Sequence, residues 1–253
     1  MKSPAGYDLN KPVIINLSKK IDEISGIAYS SSDSSLFAID DNTGFLYKIR
    51  LTKGPDIQKW EFGKKADYED LVLVDSAFYI LESSGKIIHF PLKFPITEAK
   101  IDKLELKGFN EFETLYYDAG QKRLVLLCKE CKEDGSDKVS AYGYAVTGNE
   151  FSKAPVLTMK REEVEKISGT KMGRLKVSAG NINPLTGEIF IISSINKVLI
   201  VMDNEYNIKG VYELQRNVFG QPEGLCFAPD GTLFISNEAG ESKKANVLIF
   251  KKQ

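Results

Sequence analysis

Glu69, Glu113 and Glu223 each open a short apolar run, and Ser25 and Ser178 hold the matching place in two further runs. Those runs read Gly26-Ile27-Ala28-Tyr29, Asp70-Leu71-Val72-Leu73, Thr114-Leu115-Tyr116-Tyr117, Ala179-Gly180-Asn181-Ile182 and Gly224-Leu225-Cys226-Phe227. If symmetry brings the opening positions to one axis, three carboxylates converge there with two hydroxyls between them. Such carboxylates repel one another, and burial raises their pKa values. Water, shared protons or a bound cation must relieve the charge. An all-oxygen set without His or Cys favours calcium, which takes about 6–8 oxygen ligands at flexible geometry. A second set of acids, Asp40, Glu82, Glu130 and Glu238, stands at the ends of the strands that come next. The alternative for both sets is that the acids accept hydrogen bonds from backbone amides of connecting loops, without metal.

The elements that position these residues repeat. The opening positions are spaced by 44, 44, 65 and 45 residues, and a period of about 40–50 residues made of short strands is the mark of a β-propeller. The chain is therefore expected to be all-β, a single domain over 1–253, with five blades of four strands. Each opening run leads through a turn to a second apolar run: Leu36-Phe37-Ala38-Ile39, Phe78-Tyr79-Ile80-Leu81, Leu124-Val125-Leu126-Leu127, Ile189-Phe190-Ile191-Ile192 and Leu233-Phe234-Ile235. The fifth repeat stops one strand short. The segment 12–17 resembles 209–214 in pattern and in its distance from the next opening residue, so it is expected to pair with 246–251 and close the ring. Closure of that kind removes an open sheet edge.

The long step contains the best helical stretch, 159–167, with strong helix formers and Gly169 just past its end. A short helical insertion near 159–168 follows, after a last third-blade strand at 155–158. It serves as a connector across one face or as a lid over the central opening.

With 42% hydrophobic and 27% charged residues the composition is that of a soluble globular protein. A formal net charge of −1 gives no reason to expect nucleic acid or an anionic membrane as partner. No apolar run is long enough to span a bilayer, and the first residues lack the apolar core of a signal peptide. Three cysteines, an odd number, do not describe a disulfide framework. Cys128-Lys129-Glu130-Cys131 reads as structural thiols at a strand end, with a redox or metal role as the alternative. His89, the single histidine, lies between Ile88 and Phe90 in a third strand. It is expected to pack away from the axis, where no Ser-His-Asp triad could use it.

In order along the chain stand Glu23-Ile24-Ser25-Gly26-Ile27, Tyr68-Glu69-Asp70-Leu71, Phe112-Glu113-Thr114-Leu115, Val177-Ser178-Ala179-Gly180 and Gln221-Pro222-Glu223-Gly224-Leu225. As a set these resemble the motifs of the SdiA-regulated family of bacterial β-propellers, distantly related to NHL-repeat proteins. The resemblance implies a five-bladed propeller with a calcium site, Glu69, Glu113 and Glu223 as candidate ligands, and no established activity. Gly of the family pattern is replaced here by Asp70, Thr114 and Ala179, which alters the local loop geometry. Family members commonly sit in the cell envelope, so a periplasmic or envelope location is expected for a chain trimmed of its leader, with the cytoplasm as the other option.

Three classes of function fit. The first is a calcium-binding propeller of the envelope that takes a small molecule, peptide or glycan at one face. The second is an enzyme at the central channel, either a metal-dependent hydrolase or lactonase or a glycosidase with paired axial acids. The third is a scaffold without an ion, whose stability is indifferent to chelator.

Overall fold

The structure, a computed structural model, describes residues 2–52, 54–240 and 244–253. Strand β1 (Val13–Asn16) comes first, followed by a 3-10 turn at Lys19–Ile21. Blade 1 holds β2 (Ile24–Ser30), β3 (Ser35–Asp40), β4 (Phe45–Arg50) and β5 (Asp56–Glu61). Blade 2 holds β6 (Tyr68–Val74), β7 (Ala77–Glu82), β8 (Lys86–Pro91) and β9 (Lys100–Lys103). Blade 3 holds β10 (Asn110–Asp118), β11 (Arg123–Cys131) and β12 (Lys138–Ala145), with an outer edge split between β13 (Glu150–Phe151) and β14 (Leu157–Lys160). The helix α1 (Arg161–Ser168) intervenes. Blade 4 is β15 (Ala179–Ile182), β16 (Ile189–Ser193), β17 (Val198–Met202) and β18 (Ile208–Glu213). Blade 5 is β19 (Pro222–Phe227), β20 (Leu233–Asn237) and β21 (Asn246–Phe250), completed by β1.

The five-bladed β-propeller expected from the repeats is the fold. Its apolar core is divided into five clusters, one at each junction between neighbouring blades. This explains the unbroken apolar second strands. Successive side chains of a strand point to opposite faces, and both faces of these blades are covered. In β3, Leu36 and Ala38 face blade 5 while Phe37 and Ile39 face blade 2. In β11, Leu124 and Leu126 face blade 2 while Val125 and Leu127 face blade 4. Strands buried on both faces read as continuous hydrophobic runs.

The insertion begins two residues later than its composition suggests. Residues 157–160 form β14, with Met159 opposite Val139 of β12. Leu157 and Met159 are buried and Thr158 and Lys160 exposed, a period of two that overrides the helix propensity of Met and Lys. The helix itself ends at Gly169, whose φ of 72° admits the left-handed cap and whose N–H donates to Glu165 O. Buried Val164 turns inward, and α1 packs on β18, the outer strand of blade 4. It is a rim connector and does not cover the opening.

Closure follows the expected pairing. β1 runs antiparallel to β21, with Val13 opposite Ile249 and Asn16 opposite Asn246. The segment before β1 adds what the sequence reading missed: Tyr7 and Leu9 are buried in the junction between blades 4 and 5. The Tyr7 hydroxyl donates to Gly231 O and accepts from Asn183 Nδ2. Deleting residues 2–17 therefore removes a strand and, among other buried groups, the side chains of Tyr7, Leu9 and Leu17, each contributing about 1.5–3 kcal/mol. The truncated chain is expected to be recovered as aggregate, or to melt far below the full chain. Size-exclusion chromatography and a thermal melt check this, and a monodisperse variant of unchanged Tm would refute the closure.

Candidate functional site

The ring residues gain their position from irregular pairing. In blade 2, Tyr68 pairs with Glu82 and Asp70 with Leu81, leaving Glu69 as the extra residue of a β-bulge. Glu113 is left out in the same way between Phe112↔Cys128 and Thr114↔Leu127, and Glu223 between Pro222↔Asn237 and Gly224↔Ser236. Ser25 lies in the corresponding shift between Ile24↔Asp40 and Ile27↔Ala38. A bulge re-aims one side chain without ending the strand. Ser178 immediately precedes β15 and donates from Oγ to Pro222 O of blade 5 at 2.9 Å. Ser25 Oγ likewise donates to Glu69 O of blade 2. Both serines thus staple adjacent blades.

The position after each ring residue governs how closely the blades approach. A Cβ on Gly26 would stand 2.5 Å from Asp70 Cα, and one on Gly224 2.5 Å from Ser25 O. Asp70 takes the glycine position in blade 2 and uses its carboxyl as a bridge, accepting from Leu71 N and from Leu115 N of blade 3, each at 2.8 Å. Burial holds its pKa well above the carboxylate range, against the pull of those two amides.

The lysine between the two cysteines supplies the ring's positive charge. Lys129 pairs with Glu113 and stands 3.2 Å from Glu111 Oε1. Cys128 and Cys131 are joined as a disulfide, where the sequence reading had free structural thiols. This replaces the odd-count argument: two of three pair, and Cys226 is free and buried. The strand end so fixed carries Lys129 to Glu113 and Glu130 to Arg174 (2.5 Å) and Lys176 (2.7 Å). Lys129 went unnoticed as a site residue because only its flanking cysteines carried a motif.

Burial pushes Glu69 up to about 8, helped by Asp67, Glu223 and Glu111 and opposed by Lys129. Burial also raises Glu223 to about 7; Glu238 adds to this, while a Ser194 hydrogen bond, Lys129 and Lys197 oppose it. Beside them, burial and then Asp41 and Glu23 lift Glu238 to about 7, and burial, Glu23, Asp40 and Asp67 lift Asp41 to about 6. The acids gather on blades 5, 1 and 2. On the side of blades 3 to 5 a cavity of about 420 Å³ is lined by Glu113, Ser178, Ser194 and Glu223 together with Lys129, Lys176, Lys197 and Arg216. The axial opening is therefore electrically two-sided.

The second set of acids is mostly engaged. Asp40 accepts from Thr43 N and the Tyr47 hydroxyl. Glu82 pairs with Lys86 at 2.7 Å and accepts from Ser84 Oγ, Glu130 has the partners given above, and Glu238 accepts from Gln221. His89 stacks on Tyr79 and meets Asp102 at 2.9 Å in β8, away from the axis.

The calcium shell expected of the ring is not formed by the side chains as placed. Among the described residues, the one group of three Asp, Glu, His or Cys ligand atoms within 4.8 Å of one another is Cys128, Cys131 and Asp134. Its sulfurs are joined to each other. Glu69, Glu113 and Glu223 share a register, yet their three carboxylates do not all come within that distance of one another, and Glu113 has an ammonium partner. These residues do not fit a calcium ion in this arrangement.

A family model described as SdiA-regulated matches residues 8–240. The chain belongs to the SdiA-regulated family. No curated protein matches this family member. Among solved structures it is similar to the glutaminyl cyclase of Myxococcus xanthus (14% identity, TM-score 0.61, 96% of this chain and 98% of that one). It is also similar to a gluconolactonase of Xanthomonas campestris (10%, 0.58, 97% and 91%). A third likeness is to regucalcin, a calcium-binding protein of Agrobacterium tumefaciens strain C58 (11%, 0.54, 98% and 95%). At these identities the likeness shows the propeller fold.

The raised carboxyls set a pH dependence for this SdiA-regulated propeller. A carboxyl whose folded pKa exceeds its unfolded value stabilises the fold fully below the unfolded value, and that stabilisation is lost as pH rises through the folded one. For Glu69 the window runs from 4.5 to about 8. Tm is expected to fall across it, and Glu69→Gln, which mimics the protonated acid, is expected to flatten the fall and to exceed the wild type in Tm at the alkaline end. Calorimetric melts over a pH series read this, and a wild-type Tm that rises across the window contradicts it.

Proposed function

We propose that the chain is a ligand-binding propeller that takes a small anionic molecule into the axial cavity. The observation that carries this reading is the lining: four cationic side chains, Lys129, Lys176, Lys197 and Arg216, against two carboxyls, Glu113 and Glu223, with Ser178 and Ser194, in a space of about 420 Å³. That volume is in the range of small-molecule pockets, and a few convergent polar groups fix a ligand's orientation. Arg216 is exposed, so it is free to swing onto a carboxylate or phosphate with its planar fork. A thermal-shift panel of sugar acids, dicarboxylates and neutral sugars tests the reading. The acids are expected to raise Tm, and Arg216→Ala to keep the ligand-free Tm while weakening binding about tenfold, the worth of one charge-assisted hydrogen bond. Binding of neutral sugars alone, or of no member of the panel, would defeat it.

A second reading, hydrolysis of a lactone or related ester, is favoured by Glu223. A carboxyl near 7 is poised to pass protons at neutral pH, and the fold is shared with a gluconolactonase. On this reading aldonolactone hydrolysis is measurable and Glu223→Gln abolishes it. The calcium ion implied by the family resemblance belongs with this reading, and it requires Lys129 to leave Glu113. Placement in the cell envelope is supported by the Cys128–Cys131 disulfide, since such bonds persist in oxidising compartments. The same face could also present its rim to a peptide or glycan, as propellers do with their loops.

A further inference from the structure

The ring carboxylates need a positive charge, and one is built into the third blade. Lys129 lies on β11, its side chain mostly buried at 21% exposure. Its ammonium contacts the carboxylate of Glu113, stands 3.2 Å from that of Glu111, and acts electrostatically on Glu69 and Glu223 as well. One cation thus addresses all three ring glutamates. Its backbone is held on both sides, because buried Cys128 and Cys131 are joined across it and Cys128 pairs with Phe112, next to Glu113. The hydroxyls of Ser25 and Ser178 donate to the carbonyls of Glu69 and Pro222, and Ser178 Oγ also accepts from Ser194 N, so both are held on neighbouring backbone.

We propose that Lys129 is the resident cation of the axial ring, filling the electrostatic role of a divalent ion and making the folded chain independent of metal there. An ammonium brings one charge and three donors on a flexible stem, whereas calcium demands at least six oxygens. The ring gives the ammonium carboxylate partners in Glu113 and Glu111, and while it sits there those carboxylates are taken up. Removing the lysine leaves partly buried carboxylates without a partner, the costly half of a broken ion pair, and opens a place for a metal ion.

The test compares wild type, Lys129→Met and Lys129→Arg after chelator treatment, with calcium titrated by calorimetry and by thermal melt. The wild type is expected to show no stoichiometric calcium binding and the same Tm with calcium or chelator. Lys129→Met is expected to melt roughly 5–10 °C lower and to regain part of that loss when calcium is added, because an ion that binds only the folded state raises Tm. Lys129→Arg, which keeps the charge, is expected to stay near the wild-type Tm and to ignore calcium. Wild type that binds one calcium per chain and gains Tm overturns the proposal, as does Lys129→Met that matches the wild type and ignores calcium. If Lys129→Met does not fold, the wild-type titration and the Lys129→Arg melt decide between the same two outcomes. None of these readouts involves a small-molecule ligand, so they stand or fall apart from the reading of the cavity.

Discussion

Five inner strands meet around one axis in this fold, and each must pass its neighbour at backbone distance. That close passage constrains everything near the centre. Where two strands come nearest, as Gly26 does to Asp70 and Gly224 to Ser25, no side chain fits. Where a little more room exists, a short polar side chain turns it into a bond between blades. Ser25, Ser178 and Asp70 do this, and Ser236 Oγ adds a bond to Ser25 O across the last junction. The backbone groups of Glu69 O, Pro222 O, Ser25 O and Leu115 N are thereby satisfied within the protein, which buried polar groups require. The bulges follow from the same crowding. They let a strand carry one residue out of its ladder, and that residue points its carboxyl where the neighbouring backbones leave space.

Charge then has to be balanced in a narrow, partly dry volume. The chain answers in two ways on the two sides of the opening. Across blades 5, 1 and 2 burial and mutual repulsion push the acids up, Glu69 to about 8, Glu238 to about 7 and Asp41 to about 6. Across blades 3 and 4 they are met by lysine and arginine, with Lys129 reaching the ring and Arg174 and Lys176 holding Glu130. The two walls of the opening thus differ in charge, with acids of raised pKa on one and lysine and arginine on the other.

The repeat, the blade count, the closing strand and the register of Ser25, Glu69, Glu113, Ser178 and Glu223 were legible because each rests on a local pattern of period two, copied five times. The fate of those five side chains was not. Pairing shifts that produce a bulge leave no mark in composition, and the partner of Glu113 comes from β11, the second strand of its own blade, at a position that looked like mere filler between two cysteines. The helix start was misplaced for a related reason: Met159 and Lys160 are good helix formers, but burial of alternate side chains against β12 decided their conformation. Tyr7 and Leu9 escaped notice because two isolated apolar residues in a polar segment before β1 carry no periodicity, although both are buried in the junction of blades 4 and 5.

The meeting of the chain ends has a topological consequence. Gln253 N–H donates to Gly6 O at 2.9 Å, and the blade that joins them is assembled from both ends of the chain. Since every junction between blades has its own apolar cluster, no single loop is privileged as the place where the polypeptide must begin. A circular permutant linked across Gly6 and Gln253 and opened between any two blades would keep all five clusters and the axial charges intact. What it would give up is the clasp, which would become an ordinary blade, while a new seam without interleaved ends would appear at the cut. The position of that seam, rather than the sequence of any one blade, then sets which junction of the disc opens first.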